Sequence, residues 1–376
     1  MKVKSNLFIG LSVIASVAAP GAYAWGAAGH EIVATIAQMH LYPNVLPVLC
    51  SILHQPSQLD AASPGEPAQS CSLSYVATWA DKFRYRMRWS GPLHYVGGKG
   101  DHPPQQCLFP GPNGWNGRDG INVLGGIRNT TGLLEEWVKA GGPESDPVAE
   151  EALKFLIHFV GDLHMPLHLT DRDRGGNSDK VRWDGRITNL HSTWDSLIVA
   201  KAIRTTPHNY TKPIPDHEIE KHLRGAIYDP LIRKIVIDGI GGKWQDEVNP
   251  WLECPAQEDL EPFSVWQQTK QVIIGKAWMS SDTDDEAVCP YHWAAPIHQM
   301  NCEWIWPKEM DEPPYGGSLL SRLGLFGGRP SHPYLELDTP EYGGKIAREW
   351  VVEKLFAMAG IRLAAILNHL FAVEEH

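Results

Sequence analysis

The sequence has little positive charge for its length. Its 376 residues carry 33 Lys and Arg side chains against 44 Asp and Glu, a formal net charge of −11. A protein that binds duplex nucleic acid through a broad basic surface has the opposite balance. The acidic excess therefore argues against a long electrostatic footprint on duplex DNA. It does not exclude a phosphate ester held at a metal cluster, where the ions supply the local positive charge.

No long apolar run follows the first 24 residues. Residues 1–24 combine a positively charged start, an apolar core over 7–19 and a small-x-small site at 22–24, which is typical of a secretory signal. The alternative is a membrane anchor, which the short core disfavours. We predict cleavage after Ala24, secretion, and a mature chain over 25–376 that begins at Trp25. Loss of the two lysines of the signal leaves a net charge of about −13 (−11 − 2).

No Cys-x2-Cys pair occurs among the cysteines, which are Cys50, Cys71, Cys107, Cys254, Cys289 and Cys302. An even number of widely spaced cysteines in a secreted chain favours disulfides over a thiolate zinc site. Composition alone does not select the pairing. Two acceptor patterns for N-glycosylation, at Asn129 and Asn209, suit the same extracellular setting and predict surface loops or helix ends there.

Strand patterns are scarce, and helical periodicity dominates the chain. The one clear strand signal is a hairpin over 180–189, where Asp184-Gly185 separates two alternating runs. The stretches 91–119 and 307–342 are rich in Gly and Pro and predict long loops. We therefore predict one mainly helical domain with an irregular excursion at 295–342. Predicted helices span 29–41, 44–54, 72–88, 120–140, 147–165, 191–204, 216–237, 260–281 and 343–371.

Two linked clusters of metal-type ligands stand out, His158-x3-Asp162-x5-His168 and His191-x3-Asp195. Each His-x3-Asp pair places imidazole and carboxylate about one helical turn apart on one face. A proline at position 166 is expected to end the first helix and to let His168 return toward the same cavity. These five ligands are more than one zinc ion with an open position needs. The alternative, core histidines bonded to backbone, is disfavoured because a buried Asp needs a compensating charge.

Weaker motifs lie upstream: Trp25-Gly-x3-His30 at the predicted new amino terminus, Trp79-Ala-Asp81, and Leu93-His94-Tyr95. Together with Gly-Gly-Asn at 175–177 and Asn-Leu-His-x2-Trp-Asp at 189–195, they follow one another in order over about 25–200. In combination they resemble the zinc-dependent single-strand-specific nucleases and 3′-nucleotidases secreted by fungi and plants. They resemble more distantly the bacterial zinc phospholipases C, which share the fold. Beyond residue 205 the match is loose.

The resemblance implies a multi-helix bundle of the zinc phospholipase C and single-strand nuclease type, with three zinc ions. One ion is expected on Asp81, His94, His158 and Asp162, and another on His168, His191 and Asp195. The third is expected on the amino group and carbonyl of Trp25 with His30, and Asp162 bridges it to the first. The resemblance also suggests a disulfide between Cys107 and Cys289.

The implied chemistry is attack of water on a phosphodiester with loss of the 3′-oxygen, which leaves 5′-phosphate products. Asp81 is expected to orient or deprotonate the water, and Arg84 to neutralise the phosphate; the alternative for Arg84 is a solvated helix charge. Tyr95 and Asn177 are candidate substrate contacts. Relatives often carry Asp three residues after the ligand at His94, whereas this chain has Gly97 there. Asp101 is the candidate replacement, through a rearranged loop.

We therefore expect a secreted, monomeric zinc phosphodiesterase that cleaves single-stranded DNA and RNA and removes 3′-phosphates from nucleotides, without stable membrane association. One rival is a phospholipase C with the same metals. A rival of another class is a catalytically silent secreted zinc binder, which only the Gly97 departure supports. No Walker-type phosphate loop or Gly-x-Ser-x-Gly elbow competes with these readings.

Overall fold

The computed structural model describes residues 25–55, 71–111, 113–255, 284–285, 287–312, 314–315 and 333–372. Helices dominate these ranges, and their one sheet is a two-stranded hairpin, which confirms the predicted mainly helical fold. None of the described helices is both long and apolar enough to span a lipid bilayer. The predicted signal at 1–24 and the predicted helix at 260–281 lie outside the described residues. The organisation of 25–376 as a single domain stays a prediction.

The helices, three of which contain a π-helical stretch, are α1 (Ala27–Met39), α2 (Val45–Ile52), α3 (Trp79–Phe83), α4 (Val123–Lys139), α5 (Pro147–Leu163), α6 (Leu190–Ser192, Thr193–Ile198 and Val199–Thr205), α7 (His217–Glu220), α8 (Asp229–Lys234 and Ile235–Lys243), α9 (Val248–Leu252), α10 (Pro290–Met300 and Asn301–Ile305), α11 (Gly343–Glu349) and α12 (Val351–Phe371). Short 3-10 helices connect them at Leu73–Tyr75, Arg88–His94, Pro166–Leu169, Arg172–Arg174, His208–Thr211 and Lys308–Asp311.

Helix α5 lies at the centre of the core. Asp146 caps it by accepting hydrogen bonds from the backbone N–H groups of Val148 and Ala149, and Pro147 occupies the first turn. Nearly every residue of its second half is buried, because α1, α4 and α12 all pack against it. A helix that is apolar on most sides in this way must be an interior one. Polar side chains on α5 are therefore held rigidly among packed neighbours.

The hairpin pairs β1 (Lys180–Trp183) with β2 (Arg186–Asn189) in the predicted register. Asp184 and Gly185 both have positive φ, 50° and 72°, as a type I′ turn requires. The second strand leads directly into α6. The side chain of Asn189, at the end of the strand, accepts a hydrogen bond of 2.7 Å from the backbone N–H of Ser192 in the first turn of α6. The hairpin thus fixes where α6 begins.

Three predicted helices were too long or too simple, and one segment predicted to be irregular is partly helical. The predicted helix 72–88 is broken into Leu73–Tyr75 and Trp79–Phe83. The predicted helix 216–237 is interrupted around Gly225, which has a φ of 75°. The prediction for 343–371 divides at Trp350, whose φ is 59°. Residues 295–305 are helical, as part of α10, rather than the start of an irregular excursion.

The disulfide prediction was wrong. Cys107 pairs with Cys302 at a Cα–Cα distance of 6.1 Å, and Cys289 pairs with Cys254 at 5.6 Å. Cys289 and Cys302 lie at opposite ends of α10, about 20 Å apart along a helix of that length. The loop that carries Cys107 reaches only the far end, beside His298. The third disulfide joins Cys50 and Cys71.

Candidate metal centre

Helix α5 carries the two central side chains of the site. His158 and Asp162 are fully buried, at 0% exposure, and lie one turn apart with His158 Nε2 3.3 Å from Asp162 Oδ2. This is the arrangement that the His-x3-Asp spacing predicts. The pair faces the remaining ligand candidates, so α5 forms the floor of the site.

Two further side chains come from α3, which carries Asp81, and from the following 3-10 helix, which ends at His94. His94 Nδ1 lies 2.9 Å from Asp162 Oδ2, and Asp81 Oδ1 lies 3.8 Å from His158 Nε2. Both residues are buried. His94, His158 and Asp162 have potential ligand atoms within 4.8 Å of one another. The structure therefore joins four side chains that are up to 81 positions apart in the sequence (162 − 81).

A second group forms beside the first. Helix α5 ends at Leu163, and the 3-10 helix Pro166–Leu169 returns His168 to within 3.5 Å of Asp162, as predicted from the proline. His168 stacks on His191 with ring centroids 5.2 Å apart, and His191 Nε2 lies 3.1 Å from Asp195 Oδ2. Asp195 lies in the π-helical part of α6, a feature that often marks functional sites.

The segment that begins at Trp25 closes the site from a third side. His30, on α1, lies 3.5 Å from Asp162 and stacks on His158 with ring centroids 3.9 Å apart. Trp25 is buried, and the N–H of the next residue, Gly26, donates to the carbonyl of Asp195 at 2.9 Å. The backbone of Trp25 is thereby placed beside the second group.

The histidines are oriented by backbone carbonyls. Nδ1 of His158 donates to the carbonyl of Ala77, Nδ1 of His168 to that of His94, and Nδ1 of His191 to that of Gly175, each at 2.7 Å. A carbonyl only accepts, so Nδ1 of each ring carries a proton, and Nε2 is the nitrogen that can ligate a metal. Metal-bound histidines normally have such a partner on the other nitrogen.

The Gly-Gly-Asn motif at 175–177 positions one of these carbonyls, that of Gly175. Gly175 has a φ of 61°, and a Cβ there would lie 2.5 Å from the carbonyl oxygen of Leu167. Only glycine therefore fits beside His191. Asn177 donates to the carbonyl of Arg174 at 2.9 Å and closes the same loop. Its predicted contact with substrate stays a prediction.

The site is rich in buried polar atoms that lack a hydrogen-bond partner within the described residues. They are Oδ1 of Asp81, Asp162 and Asp195, Nε2 of His94, and both ring nitrogens of His30. An unmade hydrogen bond on a buried polar atom costs roughly 1–3 kcal/mol. So many in one cluster point to an absent partner rather than to a packing defect.

Electrostatics give the same indication. Burial raises the pKa of the Asp162 carboxyl well above its usual range and raises that of Asp195 to about 6. Burial also lowers the pKa values of His30 and His168 well below their usual range, which keeps both rings neutral at pH 7. Among the described residues, Asp162 has only histidines within ion-pair distance. A divalent cation would supply the missing positive charge.

Two other predicted residues lie at the edge of the centre. Arg84 is half-buried, follows Asp81 by one turn, and stacks its guanidinium on Tyr85 at 5.4 Å from the ring centroid. Its positive charge is one of the factors that lower the pKa of His94 to about 4, although burial is the larger cause. Tyr95 follows His94 directly and is 48% exposed. Their predicted roles toward a substrate stay predictions.

The prediction that Asp101 contacts substrate fails. Its side chain is 0% exposed and lies 3.1 Å from His298 Nε2. Its oxygens also accept from the Leu108 N–H at 2.8 Å and the Thr170 hydroxyl at 2.5 Å. The carboxylate is thus fully engaged in holding its own loop, and none of it is accessible to a substrate.

The space that a side chain at position 97 would need is filled by Asp171. A Cβ on Gly97 would lie 2.5 Å from the Cβ of Asp171, and 2.8 Å from its backbone nitrogen. No side chain fits at 97 unless the segment around Asp171 moves. The sequence shows Gly97 but not the reason for it, because Asp171 is 74 positions away (171 − 97).

The remaining predictions concern residues outside the centre. Asn209 lies on an exposed 3-10 helix, as expected for glycosylation. Asn129 is exposed but lies inside α4, where neither a loop nor a helix end is found. His164 points away from the centre, as its spacing from His158 predicts. It donates to the carbonyl of Val160 and accepts from Arg362, each within 2.8 Å.

A mainly helical protein with three adjoining groups of buried His and Asp side chains has the donor set of a polynuclear metal-dependent hydrolase. Comparison with known protein families narrows this class to one family. The family model S1/P1 Nuclease matches residues 25–318, most of the chain, so the protein belongs to the S1/P1 nuclease family.

Similar proteins agree with this assignment. Endonuclease 2 of Arabidopsis thaliana is 28% identical over 358 residues, which cover 94% of this chain and 93% of the relative. Nuclease S1 of Aspergillus oryzae is 36% identical over 182 residues, 48% of this chain and 56% of the relative. Nuclease P1 of Penicillium citrinum is 34% identical over 181 residues, 48% and 60% respectively. The resemblance drawn from the motifs is confirmed, and the protein is a nucleic-acid-hydrolysing enzyme.

Proposed function

We propose that this protein is a secreted, zinc-dependent endonuclease that hydrolyses single-stranded DNA and RNA to 5′-phosphate products and has 3′-nucleotidase activity. The observation that carries the proposal is a set of buried ligand atoms that have no hydrogen-bond partner among the described residues, in a chain of the S1/P1 nuclease family. These atoms belong to Asp81, His94, Asp162, Asp195 and His30. Nitrogen and carboxylate oxygen in a buried cluster suit zinc better than magnesium or calcium, which prefer oxygen alone.

Three zinc ions fit the donor groups. One would be held by Asp81, His94, His158 and Asp162, and a second by His168, His191 and Asp195. The third would be held by the amino group and carbonyl of Trp25 with His30, and shared through Asp162, whose carboxylate lies within 3.5 Å of four histidines. When bound, clustered zinc lowers the pKa of water and polarises phosphoryl oxygens, so that no protein nucleophile is needed.

The protein side chains supply positioning and proton handling. Oδ1 of Asp81, which has no hydrogen-bond partner in the described part of the chain, accepts a hydrogen bond from the attacking water and aligns it. The guanidinium of Arg84 donates to the phosphate oxygens, where positive charge counts most as negative charge develops. Burial of the cluster keeps these electrostatic interactions strong. The bond between phosphorus and the 3′-oxygen then breaks, the 3′-oxygen takes up a proton and leaves as a 3′-hydroxyl, and the phosphate stays on the 5′-oxygen of the downstream product.

Single-strand preference follows from the exposed ring beside the cluster. Tyr95 is 48% exposed and adjoins His94, so an unpaired base stacks on it while its phosphate reaches the ligand groups. A base in a duplex is not free to do this. Asn177 is a second candidate substrate contact at the loop that orients His191.

Secretion is supported by the predicted signal at 1–24 and by the disulfides, which persist in oxidising compartments. Cleavage after Ala24 is part of the mechanism, since an α-amino group in a peptide bond cannot ligate a metal. We expect the mature protein to act as a monomer without stable membrane association.

A comparison of substrates tests the proposal. The zinc-loaded protein should hydrolyse single-stranded oligonucleotides and 3′-nucleotides, lose both activities in a chelator, and leave phosphatidylcholine vesicles intact. Turnover of the lipid alone would replace the proposal with a phospholipase C. Hydrolysis at background despite a full zinc complement would identify a silent zinc-binding protein.

A further inference from the structure

The stretch between two residues of the metal centre has a charge unlike the rest of the chain. Between Asp81 and Asp101 the sequence contains no acidic residue and five basic ones, Lys82, Arg84, Arg86, Arg88 and Lys99. The whole chain has a net charge of −11. A local excess of this size within an acidic protein indicates a surface for a polyanion.

Aromatic rings alternate with these cations and face solvent. Tyr85 is 64% exposed and Trp89 is 57% exposed. Lys82, Arg86 and Arg88 are exposed as well, and none of the three lies in an ion pair with another described residue. We call these five residues the basic–aromatic strip. Two large exposed rings this close together in the chain form an apolar surface of the kind that marks an interaction site, and the cations beside them suit an anionic ligand.

The strip is attached to the metal centre at both ends. It begins immediately after Asp81 and ends five residues before His94, both of which lie in the buried cluster. Trp89 packs edge-on against Phe155 at a centroid distance of 5.5 Å, and Phe155 lies one turn before His158 on α5. The side chain of Phe155 therefore lies between the Trp89 ring and the centre, while much of the Trp89 ring remains open to solvent.

From this placement we propose that the basic–aromatic strip is the binding track for the nucleotides of a single strand that lie beyond the one being cleaved. Tyr85 and Trp89 stack unpaired bases, and Lys82, Arg86 and Arg88 contact the backbone phosphates between them. Alternating rings and cations are how sequence-tolerant single-strand sites are built. The inference rests on the proposed nuclease function, since it names further contacts of the same substrate.

The test is the dependence of activity on substrate length. For the zinc-loaded protein, kcat/KM is measured on a nine-residue oligodeoxyadenylate and on adenosine 3′-monophosphate, and the ratio of the two is the length ratio. We expect Tyr85→Ala with Trp89→Ala to lower this ratio at least about fivefold, since each stacked base is worth roughly that much or more. Arg86→Ala with Arg88→Ala should lower it and should flatten the salt dependence by about 0.7 per lost phosphate contact.

Matched variants separate the strip from general charge and folding effects. Lys139→Ala with Lys212→Ala removes the same charge from exposed positions on other elements, and Tyr42→Ala removes a ring that is 58% exposed. These controls should leave the length ratio unchanged. Arg86→Lys with Arg88→Lys should restore most of the ratio, because a phosphate contact needs charge more than guanidinium geometry. Thermal unfolding of each variant shows whether it is folded.

The outcomes are distinct. A length ratio unchanged in both double variants would overturn the strip proposal, and so would an equal fall in both controls. If the wild-type protein bound phosphatidylserine vesicles, and the double variants lost this binding but kept the wild-type length ratio, the strip would be a membrane-binding surface instead. A wild-type protein that hydrolyses neither nucleotide substrate would overturn the proposed function itself.

Discussion

Replacement of Asp162 by Asn should have opposite effects on the protein with and without zinc. Without metal, Asp162 is a fully buried carboxylate whose close partners in the described structure are histidines, and burial lowers the pKa values of two of them, His30 and His94. Burying a single ion costs several kcal/mol, and replacing buried ion pairs by neutral side chains stabilises proteins by about 1–4 kcal/mol, so we expect a gain of that order from Asn in the stripped protein. With metal, Asp162 is the oxygen donor shared between ions, and its loss weakens the whole centre.

The magnitudes can be set from the structure. For a chain of this length, a gain of about 1–4 kcal/mol raises the melting temperature of the stripped protein by about 1–5 °C. Partners one layer outside a metal are worth about 10–100-fold in affinity. A direct ligand is therefore worth at least about 100-fold, which removes about 2.7 kcal/mol of zinc-derived stability and lowers the melting temperature of the loaded protein by about 4 °C.

The assay is thermal unfolding of wild type and Asp162→Asn, each stripped with a chelator and each saturated with zinc. Burial raises the pKa of Asp162, so its folded form binds a proton more readily than the unfolded chain. The stripped wild type therefore loses stability as pH rises, and the advantage of the Asn variant should widen with pH.

Asp229→Asn is the matched control. Asp229 is a buried carboxylate outside the centre that accepts from the N–H groups of Gly225 and Ala226. Its replacement should change the stripped and loaded proteins equally. If Asp162→Asn also lowered both melting temperatures by the same amount, Asp162 would be a structural residue and the reasoning would be refuted.

Three more predictions follow from the same geometry. Burial lowers the pKa of His94 to about 4, so between pH 4 and 6.5 the folded, metal-free protein binds fewer protons than the unfolded chain. Urea unfolding of the metal-free protein should therefore show a free energy of unfolding that falls by up to about 3 kcal/mol as the pH is lowered from 6.5 to 4. His94→Gln should flatten that loss, and an unchanged pH profile would contradict it. Arg84→Ala should lower kcat on oligonucleotides about 100-fold, with partial recovery in Arg84→Lys, and retained kcat would show that Arg84 is only a solvated charge. In denatured protein, Cys302→Ser should expose Cys107 to alkylation and Cys289→Ser should not; the reverse result would restore the pairing that the resemblance implied.

Local patterns predicted the parts of the molecule that local forces determine. The beginning of α5 at Asp146-Pro147 and the hairpin turn at Asp184-Gly185 both depend on a few adjacent residues, and both agree with the structure. The His-x3-Asp pairs placed their side chains correctly because helical geometry fixes a four-residue spacing.

The parts that depend on distant contacts were not predictable in this way. Cys107 pairs with Cys302 because the far end of α10 lies beside its loop, which no spacing reveals. Asp101 bonds to Thr170 and His298, and Gly97 makes room for Asp171, so the expected substrate carboxylate is replaced by packing between remote segments. The π-helical stretch around Asp195 is likewise a tertiary feature within an ordinary helical pattern.

Anomalous diffraction at the zinc absorption edge, from crystals of the mature chain, would decide whether the buried imidazoles and carboxylates ligate metal. Three peaks are expected: one bounded by Asp81, His94, His158 and Asp162, one by His168, His191 and Asp195, and one between His30 and the amino group of Trp25. A fully zinc-treated crystal with no peak at the shared carboxylate of Asp162 would contradict the metal centre.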